Sequence, residues 1–266
     1  MNDDSNGTPD DAGRQGERIA KVLARAGLCS RREAERWIEA GRVSVDGEKL
    51  SSPAFNVLPG AVVLVDGKPL RAAEATRLWR FHKPDGCLTT RRDPAGRPTI
   101  YHHLPPALTN AITVGRLDMN SEGLLLLTND GELARRLELP ATGWTRRYRA
   151  RVHGRVDEKA LATLKDGTTI DDVRYGPITA KLESQAGSNA WVSIALQEGK
   201  NREVRRVMEH LGYQVNRLIR IAYGPFQLGK LPRGGVEEVP AKVLAEQIPK
   251  KAAPKPQQGH AAHHRG

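Results

Sequence analysis

Nine residues, Gly115-Arg116-Leu117-Asp118-Met119-Asn120-Ser121-Glu122-Gly123, separate the apolar runs 112–114 and 124–128 and form the densest punctuation in the chain. Short apolar runs on both sides of a polar, glycine-flanked segment read as strand, turn and strand. Such a turn fixes Asp118 at a sheet edge. An acid held against apolar neighbours needs a cationic partner, or it takes up a proton. Taken alone, an Asp in a loop is ordinarily a turn-capping residue, so the position marks a candidate only. The run of leucines at 124–127 is far short of the ~20 residues that cross a bilayer, and the acidic, polar amino terminus is unlike a signal peptide.

The rest of the chain is organised around this centre. Its 266 residues suffice for one sizeable core plus a smaller satellite unit. Residues 1–17 hold Asp3, Asp4, Asp10 and Asp11 among Gly, Ser, Asn and Pro, with little to bury, and are expected to be disordered. Residues 249–266 read as a flexible basic tail, and its His260, His263 and His264 as part of that tail rather than as metal ligands.

Residues 18–71 have a compact pattern. Ile19, Val22, Leu23 and Ala26 recur at helical spacing up to Gly27. Ser30, three residues before Glu33, has the spacing of a capping box and opens a second helix, with Trp37 and Ile38 facing inward and Gly41 as its stop. Val43 and Val45 precede Asp46-Gly47, and Val63 and Val65 precede Asp66-Gly67, which suits two hairpins. Between Arg18 and Arg42 seven basic residues face three Glu. A helix pair with that excess suits phosphates, and equally an ordinary solvated face.

A linker over 71–76 leads to a larger unit, residues 77–248, with strands expected at 112–114, 124–128, 148–152 and 190–196 and a clear helix from Arg202 to Leu211 ended by Gly212. An α+β domain on a mainly antiparallel sheet fits this alternation. Tyr148, Ala150 and Val152 share one strand face, while Arg147, Arg149 and Arg151 point the other way. Lys and Arg total 42 against 31 Asp and Glu, a formal charge of +11 with a pI near 9.9, which implies a polyanionic partner. The excess is concentrated in residues 142–155, with five Arg and no acid, and 197–235, with eight basic residues and three Glu.

Cys29 and Cys87 have no metal or redox spacing, and His82, His102, His103, His153 and His210 form no ligand pattern. A reducing cytoplasm, no membrane span, no metal and no cofactor are expected.

Two longer strings carry a resemblance. KVLARAGLCSRREAERWIEAGRVSVDG resembles the alpha-L RNA-binding motif, also called S4-type. GRLDMNSEGLLLLTNDGELARRL resembles the catalytic motif of the pseudouridine synthases that modify ribosomal RNA, and the likeness continues through HKPDG, RRYRA, EGKNREVRRVMEHLG and RLIRIAYGPFQLGKLPRGG. It is strongest to their large-subunit synthase B branch. The resemblance implies a small α/β RNA-binding module followed by a mainly antiparallel catalytic domain that acts as a monomer on ribosomal RNA, 23S RNA or a large-subunit precursor.

It further implies that Asp118 attacks the target nucleoside, that Arg205 is its basic partner and lowers its pKa, and that Tyr148 stacks on the extruded base or assists proton removal. Arg25, Arg31, Arg32, Arg36, Arg42, Arg116, Arg146, Lys200, Arg202 and Arg220 are the expected RNA contacts. At Arg146 the family more often has Lys. The reaction breaks the N1–C1′ bond, turns the uracil and joins C5 to the same carbon, so no atoms are gained and no cofactor is needed. Covalent and glycal routes both remain open. Three other readings stand beside this one: a non-catalytic RNA-binding or assembly factor, the same chemistry on small-subunit or transfer RNA, and a hydrolytic glycosidase, for which Glu122 has no support as the second carboxylate.

Overall fold

The computed structural model describes residues 16–70 and 74–248, so the expected disorder of 1–15 and of the tail 249–266, with residues 71–73 of the linker, lies outside the described residues. The first unit comprises β1 (Glu17–Arg18), α1 (Ile19–Arg25), α2 (Arg31–Glu39), β2 (Val43–Val45), β3 (Glu48–Lys49), β4 (Asn56–Val57), β5 (Val63–Val65) and β6 (Lys68–Pro69). The Ser30 hydroxyl accepts the Glu33 amide at 3.3 Å and so starts α2. Asp46 and Gly47 (φ 50° and 88°) and Asp66 and Gly67 (49° and 75°) all have positive φ, as two-residue hairpin turns require. The resulting sheet runs β3-β2-β5-β6 over a core that includes Ile19, Leu23, Ala34, Ile38 and Val43. Glu17, expected in the disordered leader, instead pairs with Val57.

The larger unit comprises β7 (Leu78–Lys83), β8 (Ile112–Val114), β9 (Glu122–Thr128), α3 (Gly131–Glu138), β10 (Arg146–His153), α4 (Glu158–Ala162), β11 (Thr168–Ile170), β12 (Val173–Tyr175), β13 (Ile178–Ala186), β14 (Asn189–Leu196), α5 (Glu203–His210), β15 (Gln214–Tyr223), β16 (Phe226–Gln227), β17 (Val236–Glu238) and α6 (Ala241–Gln247). Its main sheet runs β13-β14-β10-β15-β9-β7-β17, with β8 beside β9 and β16 beside β15. Every pairing in it is antiparallel except that of β9 with β15. β9 is buried along its whole length. Because side chains alternate across a strand, Leu125 and Leu127 enter one core with Phe81 and Ala150, and Leu124 and Leu126 enter another with Leu78 and Leu133. The four-leucine run is therefore a strand covered on both faces.

The two units touch through polar groups. Lys21 of α1 pairs with Glu132 of α3, and the Asn110 side-chain amide donates to the Gly27 carbonyl at 2.9 Å. Between the units lies a cleft of about 1410 Å³ lined in part by Arg25, Arg31, Arg77, Arg91 and Arg135.

Candidate active site

Asp118 stands in the turn that enters β9, and that turn is fixed by its backbone. Each carbonyl from Leu117 to Ser121 has a donor. Leu117 O accepts the Thr89 hydroxyl at 2.7 Å, Asp118 O the Ser121 amide at 3.0 Å, and Met119 O the Gly86 amide at 2.8 Å. Asn120 O accepts Arg205 Nη2 and Ser121 O accepts Lys83 Nζ, both at 2.8 Å. Buried backbone groups must be paired, so these five bonds define the loop. The half-buried Asp118 carboxylate takes no part. Among the described residues it makes no hydrogen bond or ion pair, which leaves its oxygens available to a ligand.

Two buried cations stand behind the turn. Lys83 is 0 % exposed, and its ammonium also donates to Pro84 O at 2.9 Å. Burial pushes the Lys83 pKa down, while Cys87, Asp118 and Glu122 push it back up. For Arg205, 7 % exposed, burial and then the charge of Arg202 lower the pKa, and Asp118 and Glu209 oppose them. The carboxylate therefore faces the field of both cations. The expected Arg205–Asp118 ion pair is not formed, however. Arg205 Nη1 donates to Val215 O at 2.7 Å and Nη2 to Asn120 O, so the guanidinium ties the Asp118 turn to β15. It does so because Arg205 lies in the first turn of α5 beside the buried Val204, Val207 and Met208 and is carried inward with them.

Lys83 was missed in the sequence, although a signal was there. Trp79, Phe81 and Lys83 alternate at strand spacing, so the lysine falls on the inward face of β7.

Tyr148, Arg220, Gly123 and Lys83 form one row across β10, β15, β9 and β7. The row crosses the sheet where the Asp118 turn enters it. Tyr148 is 8 % exposed, shares a core with Leu117, and its hydroxyl has no hydrogen-bond partner among the described residues.

Two expected RNA contacts are corrected. Arg146 has the same strand parity as Tyr148 and points inward, where it meets the carbonyls of Trp144, Gln197 and Glu138 and the Tyr223 hydroxyl. Arg220 is 3 % exposed, donates Nε to Leu124 O at 2.7 Å and stacks over Tyr223. Neither guanidinium faces solvent where a phosphate could meet it. Arg25, Arg31, Arg32, Arg36, Arg116 and Arg202 are exposed. Arg42 is exposed too but paired with Asp66 and laid over Trp37, and Lys200 pairs with Glu198. Arg217 and Arg233, which were not singled out, form a cluster with Glu122, which was weighed only as a second carboxylate.

Glu203 opens α5 and is 4 % exposed. Its Oε2 accepts the Lys200 amide at 2.8 Å, and Oε1 has no partner. Burial pushes its pKa up, helped by Glu198 and opposed by the Lys200 amide, Lys200 and Arg146. With the folded value raised, the contribution to stability is full below the unfolded value of 4.5 and is lost as pH rises through the folded one. Glu203→Gln keeps an acceptor for Lys200 and removes this loss. The variant is expected to melt higher than wild type in mildly alkaline buffer and to show a flatter dependence of Tm on pH, measured by calorimetry across a pH series.

Among the described residues no cluster of His, Cys, Asp or Glu could hold a metal ion, and no helix is long and apolar enough to cross a membrane. The family model for RNA pseudouridylate synthase matches residues 77–210, and that for the S4 domain matches residues 17–63. The chain is 48 % identical over 231 residues to ribosomal large subunit pseudouridine synthase B of Salmonella typhi, covering 84 % of this chain and 79 % of that one. It is 43 % identical over 231 residues to an uncharacterized RNA pseudouridine synthase of Rickettsia prowazekii, covering 87 % and 97 %. A crystal structure of a pseudouridylate synthase superposes with a TM-score of 0.61 at 25 % identity, covering 88 % of this chain and all of that one. Matched over half its length by the family model and along most of its length by such relatives, the chain belongs to the RNA pseudouridine synthases and carries an amino-terminal S4 domain.

Proposed function

We propose that this synthase isomerises a uridine of ribosomal RNA, in the 23S molecule or a large-subunit precursor, with Asp118 as the catalytic carboxylate, and that it works as a cytoplasmic monomer without a cofactor. One observation carries the assignment of Asp118. Five backbone bonds hold its turn while the carboxylate stays unengaged, and two buried cations set the field around it. A reactive group positioned by rigid backbone is pre-organised for attack or proton transfer. The large-subunit relative supports the choice of RNA.

The target uridine leaves its stack, which costs a few kcal/mol in duplex RNA, and Tyr148 offers a ring against which the base can rest. Asp118 then either bonds to C1′ as the N1–C1′ bond breaks or starts the proton abstraction that leads to a glycal. The uracil turns and C5 bonds to C1′ as the Asp118–C1′ bond breaks or, on the glycal route, as the abstracted sugar proton is returned. The C5 proton is then lost while N1 takes one up, with the Tyr148 hydroxyl available to take part. Arg205 and Lys83 keep the turn in place throughout and are positioning residues.

The test is a carbodiimide-stop map of ribosomal RNA from cells with and without the protein, since the isomer has the same mass as uridine. Loss of a stop in 23S RNA is the expected result, and loss only in small-subunit or transfer RNA would redirect the substrate. A second expectation concerns the S4 domain. The combined Arg31→Ala, Arg32→Ala and Arg36→Ala variant should weaken RNA binding and reduce the slope of log K against log salt by about 2, at roughly 0.7 to 0.9 per phosphate contact, with turnover at saturating RNA unchanged. An unchanged slope in filter binding would remove α2 from the interface.

A further inference from the structure

Glu122 opens β9, four residues after Asp118, is 3 % exposed, and has no part in the reaction described above. A buried carboxylate is costly unless cations meet it. Two do. Arg217 of β15 donates Nε to Oε1, and Arg233, between β16 and β17, brings Nη2 to 3.4 Å from Oε2. The second contact is too long and poorly aligned to satisfy Oε2, which is sealed from solvent without a hydrogen bond.

The two arginine side chains are themselves half in solvent, 52 % and 50 % exposed. A guanidinium has five donors in a rigid fork. Among the described residues Arg217 uses only Nε, so its two terminal nitrogens have no hydrogen-bond partner there. Glu122 thus fixes two guanidiniums, from separate segments, side by side on the surface. Glu122 follows Ser121, whose amide donates to Asp118 O and whose carbonyl accepts Lys83, so the pair is anchored at the end of the Asp118 turn.

Arg233 also meets Asp85, whose side chain is 58 % exposed. Asp85 adjoins Gly86, the residue whose amide holds Met119 O in the Asp118 turn. Glu122 is buried and cannot leave, whereas Asp85 can swing into water. With Asp85 in place the cluster has two cations and two anions. An RNA phosphate carries the same single charge, so it can take the place of Asp85 and keep the cluster neutral.

We propose that Arg217 and Arg233, anchored by Glu122, form a receptor for one backbone phosphate of the RNA strand next to the target uridine, with Asp85 occupying the anion position in the free protein. The inference rests on the reading of Asp118 as the point where RNA is engaged. Phosphate contacts set register rather than sequence choice. The receptor would therefore align the strand so that the extruded nucleoside meets Asp118.

The experiment uses the full-length protein, a 23S ribosomal RNA transcript, filter binding over a potassium chloride series, and carbodiimide mapping of the product. Combined Arg217→Gln and Arg233→Gln should weaken binding about tenfold, as expected for charged hydrogen bonds, and make the salt slope shallower by about 0.7 to 0.9. Asp85→Asn should tighten binding several-fold, about the loss of one competing surface charge, and this gain should vanish in an Arg233→Gln background. The double variant leaves Glu122 buried without its cations, so it is expected to melt lower, and its binding and slope are measured well below its Tm and repeated in a Glu122→Gln background. Asp85→Asn, an exposed change, is expected to keep the wild-type Tm. An unchanged slope in the double variant, or a gain from Asp85→Asn that persists without Arg233, would overturn the receptor alone while wild-type protein still makes pseudouridine. Absence of pseudouridine with wild-type protein would overturn the substrate reading and the receptor together.

Discussion

Asp118→Ala is expected to reduce pseudouridine formation by roughly four orders of magnitude or more, the scale seen when a reacting side chain is removed, while RNA affinity stays within about twofold, since phosphate contacts carry most of it. The separation follows from how the turn is built. None of the five bonds that fix it uses the Asp118 side chain, so alanine leaves the loop in place. Basic side chains that can meet RNA, such as Arg31, Arg36 and Arg202, lie elsewhere and are unchanged. What alanine removes is the group able to engage C1′ or start proton transfer. Single-turnover carbodiimide assays with filter binding on the same preparation check both halves. Turnover near the wild-type level would take the catalytic role away from Asp118, and a parallel collapse of affinity would make it a binding residue instead.

Sequence alone reached furthest where a local rule decided the structure. Ser30 and Glu33 specify a helix start by themselves, and Asp-Gly pairs specify hairpins by themselves, so the S4 domain was legible almost element by element. The same holds for α5, read as 202–211 and found as Glu203–His210, with Arg202 in the left-handed region just before it. It holds again for the alternation that sends Tyr148, Ala150 and Val152 inward.

The less legible features depend on partners far apart in the chain. β7, β13 and β15 were not singled out as strands; β7 takes its neighbours, and β15 most of its own, from distant segments, whereas β13 forms a hairpin with β14. Arg205 was paired with Asp118 by the resemblance, and Arg146 and Arg220 were assigned to RNA. Strand parity and helix facing turn all three into the protein, where carbonyls of residues 120, 124, 138, 144, 197 and 215 receive them. Net charge locates a basic stretch, and it does not say which arginines in that stretch look outward. Lys83 and Glu122 show the converse, as charged residues with interior positions that only the strand pattern or the finished sheet discloses.

Gly123→Ala is expected to destabilise the protein more than any surface change and to lower turnover with it. β9 and β15 join the two halves of the main sheet, yet they pair in parallel at only Glu122 with Ile219 and Gly123 with Arg220. Gly123 has φ +105°, and a Cβ there would lie 2.3 Å from Arg220 O and 2.7 Å from Arg220 N. Both atoms are backbone, so relief requires the strands to part. Backbone strain of about 1–3 kcal/mol and an overpacking cost of about 1–3 kcal/mol give a loss of about 3–5 kcal/mol. At about 2–4 °C per kcal/mol for a domain of this size, Tm falls by about 10 °C. Parting the strands also loosens the Arg220 bond to Leu124 O and the Arg217 bond to Glu122, and it shifts Val215, through which Arg205 ties β15 to the Asp118 turn. The displaced carboxylate then lowers kcat well below what the fraction of folded protein accounts for, because small misplacements of a reacting group are costly in rate. Thermal melts and single-turnover rates measured well below the new Tm separate the two effects. An unchanged Tm would mean that β9 and β15 do not meet as closely as their pairing requires, and with it the coupling of sheet to active site would fail.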